Sequence, residues 1–326
     1  MGIGATLVLS LLAVLERPST WVLTLVGFLV RGGWLVVLAP VVVLPTAVGV
    51  ANVIAPILED VAFGRRTDQV LLLAGLASLV GLAWLIGGGL LAAAAEVEAV
   101  RRIRAETDEE GTGTSSAPAP NPVRRGAAWR VLVVRIVALI PFVVALGWAA
   151  VRLVSVGYRE LTVPSDVSTP AAWRIVGGAP DALVGLGITW ILAEVIGASA
   201  SRRVILEGDG VGGALRTAVG RLRYRPVPLV VLAVTSLLSL LAVLAVTGLA
   251  TGVAWSALRT ALAAGDASFG TTALLVGFVA LFGASLVLIG LTTAWRAATW
   301  TVEATSRGVP RTNGTFGGVG GTRSGD

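Results

Sequence analysis

The chain of 326 residues contains no cysteine and no histidine, and all 25 of its basic residues are arginine, so lysine is also missing. Without cysteine there is no disulfide and no thiolate nucleophile. The lack of histidine excludes Ser–His–Asp triads and histidine metal sites, and the lack of lysine excludes Schiff-base chemistry. We therefore predict a protein that is not an enzyme, with no catalytic residue, no cofactor and no metal site.

Charged residues are also scarce, at 13% of the chain against 55% hydrophobic residues. The hydrophobic residues form long runs, whereas a soluble core would show alternating or 3.6-residue stripes. A helix of about 20 residues crosses a hydrocarbon layer of about 30 Å. The runs predict an all-α fold: a polytopic transmembrane bundle of about six spans with short amphipathic interfacial helices. The six spans are expected at 20–44, 69–93, 131–153, 182–200, 227–250 and 271–294.

The arginines are distributed unequally between the two sides that these six spans define. The termini and the even-numbered loops carry 17 arginines, whereas the odd-numbered loops carry five. Since basic loops remain cytoplasmic, both termini are expected in the cytoplasm, and the protein is expected in a bacterial cytoplasmic membrane. The net charge of +6 is then attributed to contacts with anionic lipid headgroups, and nucleic acid is not expected as a partner.

Composition divides the chain into four parts. Residues 1–106 hold an N-terminal interfacial segment and spans 1 and 2. Residues 107–128 are rich in Pro, Ser and Gly, which is typical of a disordered linker, here cytoplasmic. Residues 129–306 hold spans 3 to 6, with an amphipathic cytoplasmic helix at 210–225, and residues 307–326 are a disordered tail.

The segment 210–225 combines a helical apolar stripe with a concentration of arginine. The stripe consists of Val211, Leu215, Val219 and Leu222. Such a helix lies in the headgroup plane, with its guanidinium groups on lipid phosphates. The candidate phosphate contacts are Arg216, Arg221, Arg223 and Arg225. Three interpretations stay open: recognition of specific lipids, a general interfacial anchor, or a coupling helix that docks on an ATPase.

Ionisable residues within apolar spans are costly and are candidate functional residues. Arg31, Arg135 and Glu194 define a candidate intramembrane polar pocket, in which Arg135 and Glu194 lie at similar depth on neighbouring antiparallel spans. The pocket would bind an anionic headgroup or relay a proton. The alternatives are a structural ion pair, an Arg31 side chain that caps loosened backbone at Gly32 and Gly33, or a first span shifted to 33–54.

Two segments carry a resemblance to a known group of proteins. One runs from Gly213-Ala214-Leu215-Arg216-Thr217-Ala218 through Arg221-Leu222-Arg223, and the other from Thr293-Ala294-Trp295-Arg296 through Trp300-Thr301. In these segments the chain resembles bacterial six-helix membrane proteins of unassigned function and the membrane domain fused to glycerophosphoryl diester phosphodiesterases. The catalytic domain of those enzymes, with its histidines and metal-binding acids, is absent, so the resemblance implies no catalytic residue here.

These observations lead to three hypotheses about function. The first is a non-enzymatic integral membrane protein that is lipid-associated or organises partners in the cytoplasmic membrane. The second is a permease-like transmembrane subunit of a transporter, with other membrane or ATPase subunits as partners. The third is an intramembrane enzyme that would have to work with Glu, Asp, Ser and Arg alone.

Overall fold

The computed structural model describes residues 2–42, 63–64, 67–109, 126–163, 165–166, 168–265 and 269–305. Every regular element within these residues is a helix, which confirms the predicted all-α fold. The helices are α1 (Ile3–Leu15), α2 (Pro18–Phe28), a π-helical turn (Leu29–Gly33), α3 (Trp34–Leu38), α4 (Thr67–Glu109), α5 (Ala127–Thr162), α6 (Ala171–Gly177), α7 (Pro180–Leu206), α8 (Val211–Tyr224), α9 (Pro226–Ala263) and α10 (Phe269–Thr305).

Among the described residues, six helical segments are long and apolar enough to cross a membrane, so the chain is a multi-pass integral membrane protein. They are Pro18–Leu38, Leu71–Ala105, Ala127–Thr162, Pro180–Leu206, Pro226–Ala263 and Phe269–Thr305. Five of them correspond to predicted spans but extend beyond the apolar runs. For example, α4 continues past residue 93 because its next residues are good helix formers, and Arg102 pairs with Glu98 one turn earlier at 2.9 Å.

The first span is broken in the middle. Between α2 and α3 the backbone forms a π-helical turn, and Gly32 adopts a φ of 105° that favours glycine. Arg31 lies within this turn, inside a segment that begins at Pro18. The end of the predicted span, and the shifted alternative beyond Val42, lie outside the described residues.

The six spans form a ring. Helices α5 and α7 pack along each other, as do α9 and α10. Helix α2 lies between α10 and α4, α4 contacts α5, and α7 contacts both α9 and α10. Close approach is provided by glycine: a Cβ atom on Gly290 of α10 would lie 3.1 Å from the carbonyl oxygen of Trp21 on α2.

Burial is concentrated at one end of this ring. We call it the arginine-rich end and define it by the terminal parts of three helices, residues 94–105, 194–206 and 294–305, together with α1 and α8. Buried Val97, Val204 and Trp300 lie here. Toward the opposite end residues 71–87 of α4 are all exposed. The other spans stay in contact there: buried Val156 and Ala182 join α5 to α7, and the Trp255 and Phe278 rings of α9 and α10 are 5.4 Å apart. The ring is therefore closed at the arginine-rich end, whereas α4 stands apart from its neighbours at the other.

Two short helices lie across the arginine-rich end. Helix α1 contacts α10, where the buried Ser10 hydroxyl is 3.0 Å from that of Thr299. Helix α8 is present where the sequence predicted it and packs on α5 and α7. Its buried residues are Ala214 and Ala218, whereas Val219 of the predicted apolar stripe is 51% exposed. The small alanine side chains allow α8 to approach its neighbours closely.

Candidate functional site

The carboxylate of Glu96 lies at the centre of the arginine-rich end and accepts hydrogen bonds from three guanidinium groups. Its Oε1 atom is 2.6 Å from Arg202 Nη1 and 2.7 Å from Arg135 Nη2. Its Oε2 atom is 2.7 Å from Arg31 Nη2. The Glu96 side chain is only 9% exposed. One nearly buried negative charge is therefore shared by three arginines from three different parts of the fold.

A second carboxylate extends this arrangement. Glu194 Oε1 is 2.8 Å from Arg296 Nη2, and Glu194 Oε2 is 3.8 Å from Arg135 Nη1. Arg135 therefore joins the two carboxylates. We call the six linked residues the ionic cluster, and its members are Arg31, Glu96, Arg135, Glu194, Arg202 and Arg296.

Five of the six spans converge at this end, and each of them contributes at least one residue to the cluster. Arg31 comes from the π turn, Glu96 from α4, Arg135 from α5 and Arg296 from α10. Helix α7 supplies both Glu194 and Arg202, which are eight residues and about 12 Å apart along the helix axis. Helix α9 contributes no member. The cluster consequently lies at the end of the ring where burial is concentrated.

Arg202 is the most enclosed member, with a side chain that is 3% exposed. It donates from Nη2 to the carbonyl oxygen of Ala297 at 3.2 Å and from Nε to Thr301 Oγ1 at 3.2 Å. Both acceptors lie on α10, one turn apart. Because Arg202 also bonds to Glu96 on α4, its planar guanidinium group links α7 to both α4 and α10.

The cluster carries more positive than negative charge: four guanidinium groups face two carboxylates. Two of its donors are unused, since Nε of Arg135 and Nε of Arg296 have no hydrogen-bond partner within the described parts of the chain. A charge at membrane depth costs about 3 kcal/mol on insertion scales. The chemistry favoured by this arrangement is the binding of an anion.

The structure places the three predicted pocket residues in this cluster, but with different partners. Arg135 and Glu194 do approach each other, yet each has a closer partner, Glu96 and Arg296 respectively. Arg31 does not pair with Glu194. It also does not cap the backbone at Gly32, because its hydrogen bond within the described residues goes to Glu96.

Three cluster members were missed from the sequence: Glu96, Arg202 and Arg296. Each lies just past the end of an apolar run, where a hydropathy pattern indicates a loop. A usable signal was present, since the residues that follow these runs continue a helical pattern. Helices that extend past the membrane boundary can pack against each other, and their charged residues then become internal.

The predicted lipid-contacting arginines lie on α8 and directly after it. Arg216, Arg223 and Arg225 are exposed, whereas Arg221 is half-buried. Arg216 and Arg223 lie roughly opposite Ala214 and Ala218, which are buried against α5 and α7. Helix α8 therefore presents positive charge away from the bundle.

Comparison of the chain with models of known protein families, with curated proteins and with solved structures found no match. The resemblance to the membrane domain of glycerophosphoryl diester phosphodiesterases stays a prediction, and no residue role is taken from it.

Proposed function

We propose that this protein is a non-enzymatic component of a bacterial cytoplasmic membrane that associates with anionic lipids through its arginine-rich end. The observation that carries the proposal is the difference between the two faces of α8, one buried against the bundle and the other exposed and positively charged. Ala214 and Ala218 are buried against the bundle, whereas Arg216, Arg223 and Arg225 are exposed. The positive-inside rule places this end in the cytoplasm, where the inner leaflet carries anionic headgroups.

The expected strength of this association follows from the number of exposed arginines. Each arginine near an anionic surface contributes about 1 kcal/mol, so removal of two should cost about 2 kcal/mol, or about thirtyfold in relative affinity. Because these arginines are exposed, added salt should weaken the association.

A lipid-competition measurement tests the proposal. Protein purified in detergent is mixed with equimolar phosphatidylglycerol and phosphatidylethanolamine, and native mass spectrometry counts the lipids retained. We expect the Arg216→Gln/Arg223→Gln variant to lose most of the excess of phosphatidylglycerol. The matched control is Arg159→Gln/Arg259→Gln, which removes the same charge from exposed positions near the opposite end. Equal loss in both variants, or in neither, would reject the proposal.

A partner-organising role fits the same protein, because the exposed part of α4 is available to another membrane protein as well as to lipid. Residues 71–87 of α4 are exposed along more than four turns of helix. Lipid chains can cover such an apolar surface without a protein partner, so its exposure does not by itself identify one.

The second candidate is a permease-like subunit, and one observation favours it. Five spans are tied together by the ionic cluster at one end, whereas residues 71–87 of α4 are exposed at the other, and a path closed on one side would require such an opening. Affinity purification from native membranes separates the candidates. Recovery of a subunit that hydrolyses ATP, lost in the Arg216→Gln/Arg223→Gln variant, would favour the permease over the lipid-associated protein.

A further inference from the structure

The broken first span packs against one face of α4, and we call this contact surface the seam. The seam ends at the ionic cluster. Four residues of α4 at four-residue spacing, Trp84, Gly88, Ala92 and Glu96, lie close to one helical face. Across the seam, a Cβ on Gly27 would lie 3.7 Å from the carbonyl oxygen of Ala92, and one on Gly88 would lie 3.1 Å from that of Val30. The first span therefore runs antiparallel to α4 along this face.

Arg31 lies on this seam and is the most exposed member of the ionic cluster, at 41%. Its neighbour Val30 is level with Gly88, yet its guanidinium reaches Glu96, two turns further along α4. The side chain consequently extends along the seam toward the arginine-rich end. Glu96 is already bonded to Arg135 and Arg202, so it neutralises Arg31 only in part.

An apolar surface continues the seam away from Arg31. Trp34 and Trp84 meet edge to face, with ring centroids 6.3 Å apart, and remain 41% and 49% exposed. From Glu96 to Trp84 the seam is about 18 Å long. One leaflet of the hydrocarbon core is about 15 Å thick. The charged end and the aromatic end are thus separated by the distance between a lipid phosphate and the ends of its acyl chains.

We propose that this seam binds one anionic phospholipid, with its phosphodiester on Arg31 and its acyl chains along Trp34 and Trp84. The occupant is a lipid and not a free anion, because the site joins an under-neutralised guanidinium to an apolar surface of leaflet length. The unused positive charge of the ionic cluster supplies the electrostatic attraction. This site is distinct from the arginines of α8 and would retain its lipid if those contributed nothing.

Retention of lipid after extensive detergent exchange tests the proposal. We expect the wild-type protein to keep one phosphatidylglycerol by native mass spectrometry, and Arg31→Gln to bind it at least tenfold more weakly. The matched control is Arg152→Gln, since Arg152 is 48% exposed and has a single carboxylate partner, Asp181, at 3.4 Å. Arg216→Gln/Arg223→Gln should also keep this lipid, which separates this site from the association through α8.

If Arg31→Gln does not fold, Trp34→Phe/Trp84→Phe should still weaken phosphatidylglycerol binding severalfold, because the smaller rings reduce the apolar contact. Millimolar inorganic phosphate should not displace the lipid. Retention of phosphatidylglycerol by Arg31→Gln at the wild-type level, or its full displacement by inorganic phosphate, would overturn the proposal.

Discussion

Arg202 of α7 and Glu96 of α4 are joined by a hydrogen-bonded ion pair of 2.6 Å, although they are 106 residues apart in the chain. Their side chains are 3% and 9% exposed, so water screens this pair very little. Glu96 also bonds to Arg31 and Arg135, and Arg202 also bonds to Ala297 and Thr301, so the pair connects five helical elements at the arginine-rich end.

Replacing Glu96 by glutamine should destabilise the protein strongly. The substitution removes the one negative charge that three arginines share, and breaking a buried pair costs about 3 kcal/mol because a charge is left uncompensated. Equilibrium unfolding in mixed micelles measures the free energy of unfolding. Glu98→Gln is the control: its 41% exposed side chain pairs with Arg102 on the same helix, and its loss should cost below about 0.5 kcal/mol. Similar losses in the two variants would show that Glu96 is not a hub.

Glu194 and Arg296 should be energetically coupled. Their carboxylate and guanidinium atoms are 2.8 Å apart, and the side chains are 21% and 18% exposed. A double-mutant cycle with Glu194→Gln and Arg296→Gln should give a coupling of about 1.5 kcal/mol. The comparison pair, Arg152 and Asp181, is 48% exposed on both sides and should give less than about 0.5 kcal/mol. An additive cycle for Glu194 and Arg296 would contradict the arrangement.

Gly290→Val should weaken the contact between α2 and α10. The first added carbon would lie 3.1 Å from the carbonyl oxygen of Trp21 and 3.4 Å from Cβ of Leu25, so the helices must move apart. Overpacking of this kind costs about 2 kcal/mol in the free energy of unfolding. Gly283→Val provides the control two turns away on the same helix, where nothing lies within 4 Å of the added carbon. A control as unstable as Gly290→Val would indicate a general effect of valine.

The proposed orientation can be tested with single cysteines, because the natural chain has none. Val163 follows α5 at the opposite end and is 72% exposed, whereas Tyr224 ends α8 and is 84% exposed. A membrane-impermeant maleimide should label Val163→Cys in intact spheroplasts and Tyr224→Cys only after permeabilisation. The reversed pattern would place the arginine-rich end outside the cell and contradict the proposed lipid contacts.

The sequence indicated three charged residues of the site, Arg31, Arg135 and Glu194, but not their full set of partners. Arg135 and Glu194 were recognised because a charge inside an apolar run is conspicuous, and their proximity followed from two neighbouring antiparallel spans. Glu96 could not be recognised in this way, because it follows its apolar run and resembles a loop residue. Its three arginine partners lie 39, 65 and 106 residues away, and no local pattern encodes contacts at such separations.

The sequence by itself determined that the chain crosses a membrane on six helices and that its arginines gather at one end. Both properties are local, since a hydrocarbon layer requires about 20 consecutive apolar residues and excludes charge residue by residue. Only the tertiary structure decided that the extended ends of α4, α7 and α10 converge, so that Glu96 meets three arginines. That outcome depends on how glycine and alanine faces pack in three dimensions, which the order of residues along one helix does not show.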